Sequence, residues 1–390
     1  MAAYMHMGHD TENLVGEKDL EEFSGIILSP VNRPPKDLKK YCTQFREKGT
    51  YDLILDPQLY FPRALRGYLT QQPYFPPAFD TVDPTSNEWW DAIINPLVTL
   101  GIELGVNAIA SPTICPTIGN DAYYARCVEV SNLLSERLAE KGIRTLTSLM
   151  VNMAQLVDPD TVLRIASIIT SKKTAGYYLV IMNTDELTPR REYADPVKLF
   201  GVMNFINEIS STKMPILVSH CSSDMLLFKA AGATHCATGK FFNLRRFTKS
   251  RYEEPAQGGG QLPYWFEQSL MAFLREGDLL RLEAEGFSNL IGTESSGNYW
   301  SQTIMENLKS EKPKPWLSLG WRQYLGWFGK TENKLIEAPA AMVNEWLRTA
   351  EKNWISLEDA PVLMDEARNN GTWLRPWRQA LTKFAKQPGK

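Results

Sequence analysis

From Ser24 onward, short apolar runs that end in polar or proline residues alternate with longer stretches in which apolar residues recur at every third and fourth position. The first kind of segment suits a strand and the second an amphipathic helix, and their regular alternation is the mark of βαβ units. Strands are predicted over residues 25–29, 52–55, 107–110, 145–151, 177–182, 215–219 and 234–238, with helices over 89–104, 123–141, 158–171 and 195–211. The strands are apolar almost throughout, as a parallel sheet covered on both faces requires. Residues 24–252 therefore read as an α/β domain, a (β/α)8 or TIM-like barrel, complete or one strand short. Seven strands are visible, and the eighth is sought in the connection 57–88 or at 288–292. An open doubly wound sheet is the competing arrangement, but no GxGxxG follows the first strand, which removes its dinucleotide-binding version. Residues 1–23 are polar and acidic and read as an N-terminal tail.

Past residue 252 the texture changes. The stretch 253–260, with three consecutive glycines, has the composition of a flexible connection. Residues 253–390 read as a tryptophan-rich helical C-terminal domain packing on the barrel, since nine of the eleven tryptophans lie between Trp265 and Trp377. Trp316, Trp321, Tyr324, Trp327 and Phe328 fall largely on one helical face. Such a stripe is a buried packing surface or, as the alternative, a platform for stacked bases, a protein partner or self-association. The net charge of −3 gives no overall field to hold nucleic acid or an anionic membrane, so any such binding must come from a local patch. Five cysteines at wide spacings, with no CxxC, argue against a disulfide framework or a structural zinc site. No run of 18 apolar residues and no signal peptide is evident, so a soluble cytoplasmic protein is expected.

In parallel barrels the chemistry sits at the carboxyl ends of the strands, where the loops converge on the axis. Those ends supply Asn32 and Arg33, Asp56 and Gln58, Ser111 and Thr113, Asn152 and Gln155, Asn183 and Asp185, His220 and Cys221, and Lys240. Acid–base work is assigned to His220, whose imidazole titrates near neutral pH, with Asp56 or Asp185 as the carboxylate partner and Asp224 as a further choice. Asp56 is preferred because it ends an apolar strand and is stiffened by Pro57. His235 reads as a core histidine. No HxH or HExxH spacing supports a metal site, and no cofactor is predicted. The segment 240–251 carries five basic residues and three phenylalanines directly after a glycine loop. Gly239 and Lys240, Arg245 and Arg246, with Gln58, Asn152 and Asn183, are therefore the expected substrate- or phosphate-binding set. The segment 292–300 is a candidate lid bearing Glu294.

Residues 215–246 run strand, polar turn, short helix, Ala-Ala-Gly-Ala corner, strand and glycine loop. In this they resemble the last two βα units of phosphate-binding (β/α)8 barrels such as flavin-dependent oxidoreductases. The resemblance implies a phosphate held by two consecutive loops, although the first loop here is Ser-His-Cys-Ser-Ser and not a glycine pair, and no flavin is predicted. The joining of a catalytic aspartate to a basic surface is similar in architecture to tRNA-guanine transglycosylases, whose zinc-binding cysteine motif this sequence lacks. The expectation is an enzyme acting on a nucleotide or nucleic acid, by glycosidic cleavage or base exchange. The alternative is a non-catalytic nucleic-acid-binding or assembly subunit that uses 240–251.

Overall fold

A computed structural model describes every residue except 1–2, 63–66, 77–82, 118, 171–172, 184–191, 253–260, 294–295, 337–338, 368, 388–390 and the side chain of residue 250. Eight parallel strands close into a barrel in sequence order: β1 (Ala3–His6), β2 (Phe23–Leu28), β3 (Asp52–Leu55), β4 (Ala108–Ala110), β5 (Arg144–Asn152), β6 (Tyr177–Met182), β7 (Ile216–Ser219) and β8 (His235–Thr238). The ring closes where Tyr4 and Met5 of β1 pair with Ala237 and Thr238 of β8. Between and after the strands run α1 (Thr11–Leu14), α2 (Pro35–Lys48), α3 (Asn87–Leu104), α4 (Asp121–Leu138), α5 (Pro159–Ile169), α6 (Pro196–Ser210), α7 (Met225–Ala230) and α8 (Phe242–Arg245). The helices start where the sequence places caps. Asp158 and Asp195 each accept two backbone N–H groups, with proline at the next position.

The eighth strand lies in neither predicted place. It is Ala3–His6, within the stretch expected to be a tail. The expectation failed because its helix, α1, is only four residues long and carries no amphipathic repeat. Alternation along each strand sorts side chains into two cores. Met5, Ile26, Leu28, Leu53, Leu55, Leu179 and Val218 pack outward against helices, while Tyr4, Ile27, Ile54, Tyr178, Val180 and Leu217 fill the lumen. The lower end of the lumen is closed by the Tyr4 hydroxyl, which donates to Asp52 at 2.7 Å, and by the Arg144–Asp52 ion pair at 2.6 Å.

After α8 come a two-stranded antiparallel sheet, β9 (Trp265–Glu267) with β10 (Ala272–Leu274), and five helices: α9 (Glu276–Ala284), α10 (Tyr299–Leu308), α11 (Leu317–Lys334), α12 (Pro339–Asp359) and α13 (Leu374–Ala385). These helices complete the barrel's outer layer. α1, α7 and α8 are too short to cover their strands, so α11 packs on β1 and β8, α12 on α7, and α13 on α6. Trp316, Tyr324, Trp327 and Phe328 are buried, which makes this part of the stripe a packing surface, while Trp321 is half-buried with the Lys240 ammonium over its ring. Across it, Lys229 of α7 and Glu332 of α11 form a buried ion pair at 2.9 Å.

Candidate active site

The carboxyl-end mouth of the barrel gathers a polar cluster that four strands supply. His6 ends β1, Asp56 follows β3, Tyr178 stands in β6, and Ser219 ends β7 with His220 next to it. Parity explains the first four: His6 shares a face with Tyr4, Asp56 with Ile54, and Ser219 with Leu217, all lumen-lining. His220 joins them by breaking the alternation. Its φ of 58° is left-handed, as is that of Gln58 at 56°. A non-glycine residue held there costs on the order of 1 kcal/mol or more, and such residues cluster at functional positions.

The cluster is one continuous hydrogen-bond chain. Asp56 Oδ2 accepts from Tyr60 at 2.8 Å and from Tyr178 at 3.0 Å, while Oδ1 accepts the Gln58 N–H at 3.0 Å. The Tyr178 hydroxyl lies 2.9 Å from Ser219 Oγ, which in turn lies 3.0 Å from His6 Nε2 and 2.7 Å from His220 Nδ1. The His220 backbone N–H donates to His6 Nε2 at 3.2 Å, which marks that nitrogen as the acceptor and puts the His6 proton on Nδ1. With His220 protonated on Nδ1 and Asp56 ionised, only three protons, from Tyr178, Ser219 and His220, serve four contacts. One further proton on Asp56 satisfies all four: Asp56 donates to Tyr178, Tyr178 to Ser219, and both Ser219 to His6 and His220 to Ser219.

Burial sets the electrostatics. Asp56 is 1% exposed, and burial lifts its carboxyl to about 6, partly opposed by the hydrogen bonds from Tyr60, Gln58 and Tyr178 and by the Arg251 charge. Burial with the Arg251 charge lowers His6 to about 3, and burial with His6 and Arg251 holds His220 well below its usual value. Both imidazoles are therefore neutral at pH 7. Among the described residues, His6 Nδ1, His220 Nε2, Gln58 Nε2 and Arg251 Nε are buried at the mouth with no hydrogen-bond partner. Each such group costs about 1–3 kcal/mol while it stays unmet. Phe61, Phe247 and Tyr252 pack over Tyr60, and Phe247 meets the His220 ring edge-on at 5.6 Å, so an aromatic cover lies above the chain of polar groups.

The residues expected from sequence divide sharply. Asp56 and His220 come together, but not as a direct pair; the Tyr178 and Ser219 hydroxyls stand between them. Asp185 and Glu294 lie outside the described residues. Gln58 sits in the cluster, its Oε1 accepting from Ser29 Oγ at 3.0 Å and from Val31 N at 3.1 Å. Asn152 accepts the N–H of Ala154 in its own turn, and Asn183 is half-buried. Cys221 is fully buried against Val218 O, with its thiol pushed up by burial.

The basic segment is not an open anion clamp. Arg245 donates from Nε to Gly239 O at 3.0 Å and from a terminal N–H to Lys240 O at 2.8 Å, under the Tyr324 ring. Arg246 pairs with Glu192 at 2.8 Å and with Asp224 at 3.7 Å. Lys240 reaches Asp10 at 3.3 Å across the Trp321 ring. A Cβ on Gly239 would come within 2.6 Å of Leu244 Cβ, so packing is reason enough for glycine there. Among the described residues of this segment, Arg251 is brought to the mouth, where a terminal N–H donates to Ser29 Oγ at 2.9 Å. Sequence reading missed His6, placed in the supposed tail, and also Tyr178, Ser219 and Arg251. Period-two parity on β6 and β7 would have found Tyr178 and Ser219; His6 lies on a strand that the sequence does not reveal.

No protein-family model matches the chain, and no curated protein matches it. Among solved structures it is similar to deoxyribose phosphate aldolase from Aeropyrum pernix (17% identity, TM-score 0.36, over 61% of this chain and 84% of that one). It is also similar to the tryptophan synthase alpha chain from Legionella pneumophila (11% identity, TM-score 0.36, 86% and 93%). A third likeness is to FabK from Thermotoga maritima (13% identity, TM-score 0.30, 62% of this chain), where the alignment spans 63% of the other chain, short of two thirds of it. Likeness of this degree says nothing about the reaction; the eight-strand pairing itself establishes the barrel.

Proposed function

We propose that this protein is an enzyme that transfers protons at the barrel mouth to or from a small anionic molecule. In this reading Asp56 is the proton reservoir, Tyr178 and Ser219 form the relay, and His6 and His220 are its far end. The observation that carries it is the proton count: a buried carboxyl held near pH 6 lies at one end of a hydroxyl chain that becomes fully hydrogen-bonded when one proton is added. A group poised close to working pH gives and takes a proton at little cost. His220 Nε2, with a lone pair and no partner, is the atom that would meet substrate.

Phosphate-bearing ligands, nucleotides among them, remain the expected substrates. The rings of Phe61 and Phe247 offer stacking faces for a base, and protonation of a leaving base is the step that glycosidic cleavage or base exchange asks of a group like Asp56. Polymeric nucleic acid has less support, because Lys240, Arg245, Arg246 and Arg251 are all buried and contribute little field at the surface. The binding-subunit reading has no observation in its favour.

The test is incubation of the protein with pooled small phosphate esters and carboxylates in D2O, followed by mass spectrometry. A new product or a deuterium-labelled metabolite is expected with the wild type and not with Asp56→Asn or His220→Gln. No change in any metabolite, or a change that both variants still produce, would overturn the proposal.

A further inference from the structure

We infer that the mouth holds one oxyanion of its ligand, a carboxylate or phosphoryl group, on three N–H donors from Arg251, Gln58 and His6, on the β1–β3 side and not at the Gly239–Lys240 turn. This rests on the acid–base reading of the same mouth and gives it a substrate class. Each donor is left over once the residue's other contacts are made. Arg251 uses a terminal N–H on Ser29 Oγ, and its Nε has no partner. Gln58 has its amide orientation fixed, because Oε1 accepts the backbone N–H of Val31 and the Ser29 hydroxyl, so the unpartnered atom is the NH2 group. His6 accepts at Nε2 and so carries its hydrogen on the unpartnered Nδ1.

The three belong to one neighbourhood. Ser29 Oγ touches both Arg251 and Gln58, and Asn32 links it to Met7 O, next to His6, through bonds of 2.9 and 3.1 Å. All three residues are more than nine-tenths buried. A buried group with only donors left, one of them on a guanidinium, is complementary to an oxyanion and to no cation. The carboxylate already nearby is Asp56, which takes the Gln58 backbone N–H at 3.0 Å and leaves the side-chain NH2 uncommitted. A ligand reaching these donors has to part the cover of Phe61, Phe247 and Tyr252. Once seated, it offsets the Arg251 charge that favours ionised Asp56, so its negative charge helps load the relay with a proton.

Isothermal titration of the full chain with inorganic phosphate and, separately, with malonate distinguishes the two sources of the oxyanion. At least one is expected to bind saturably, with proton uptake near pH 7 measured by comparing buffers of different ionisation enthalpy. Arg251→Gln and Gln58→Leu should each weaken it by roughly tenfold or more, with Arg251→Lys recovering part of the loss as the check on folding. Lys240→Met should leave it unchanged. Asp56→Asn should keep the binding and lose the proton uptake, so anion recognition survives in that variant even if the acid–base reading fails. The inference is overturned if neither anion binds, or if Lys240→Met removes binding and Arg251→Gln does not.

Discussion

At the scale of single residues, Asp56 carries opposite consequences for stability and for activity. Its folded value of about 6 lies above the ordinary 3.8, so the folded state holds the proton more tightly than the unfolded chain. Its stabilising contribution is therefore present below pH 4 and is lost as pH rises through 6, a loss of about 3 kcal/mol once ionisation is complete. Asp56→Asn is expected to abolish turnover while raising stability at pH 8 by up to about that amount, with the gain vanishing near pH 4; urea titration at several pH values measures it. A loss of stability at pH 8 would mark Asp56 as a structural group. Tyr178→Phe removes one hydrogen bond that favours the ionised carboxylate, so the rate limb set by Asp56 should move above pH 6. The same change cuts the relay and should lower turnover on the order of a hundredfold, at a folding cost of only about 1 kcal/mol. Unchanged turnover in Tyr178→Phe would mean that Asp56 acts without the chain.

At the scale of elements, two contacts decide how the barrel is finished. Gly239 ends β8 where Leu244 of α8 leaves no room for a Cβ. Gly239→Ala should destabilise by roughly 1–3 kcal/mol in denaturant unfolding, because the atom it meets is the Leu244 Cβ, held by the α8 backbone. Unchanged stability with weakened phosphate binding would instead restore the Gly239–Lys240 turn as the anion site. The Lys229–Glu332 pair joins α7 to α11 with both side chains out of water. Glu332→Gln leaves the buried ammonium without a counter-charge, though still bonded to Thr234 O, and should cost about 3 kcal/mol in thermal or denaturant unfolding. A cost below 1 kcal/mol would show that the pair is not what fixes α11 on the barrel.

For the molecule as a whole, His6 and His220 on one side and Asp56 and Asp224 on the other pull the pH dependence in opposite directions. His6 and His220 have depressed folded values, so their contributions are full above about 6.5 and are lost as acid protonates the unfolded chain, by roughly 1.4 kcal/mol per pH unit each. Asp56, at about 6, and Asp224, lifted to about 7 by burial, run the other way and add stability as pH falls toward 4. The two trends nearly cancel between pH 6 and 4 and no longer do so below it. These four groups together should add almost no slope across that window and a steep loss of stability below it. Asp56→Asn should tilt the plateau by about 1.4 kcal/mol per pH unit, and circular dichroism during denaturant titration reads both.

The order of seven strands and the helices that begin near Asp158 and Asp195 were legible in the residues, as was the placing of Asp56 and His220 at strand ends; that Tyr178 and Ser219 stand between those two was not. Periodicity and capping are local, and a strand's carboxyl end can be read from its own apolar run. β1 was not legible. Four residues followed by a four-residue helix carry no repeat, and it is pairing with β2 and β8 and cover from α11, some three hundred residues later, that make Ala3–His6 a strand. The fate of the basic segment was equally beyond sequence. Arg245, Arg246 and Arg251 look alike along the chain, and what separates them is which acceptors surround each one: backbone carbonyls for the first, Glu192 with Asp224 for the second, Ser29 for the third. The sequence determined which segments alternate and which face each side chain takes. Partners and unmet donors depend on distances between residues far apart in the chain, and only the closed barrel sets those.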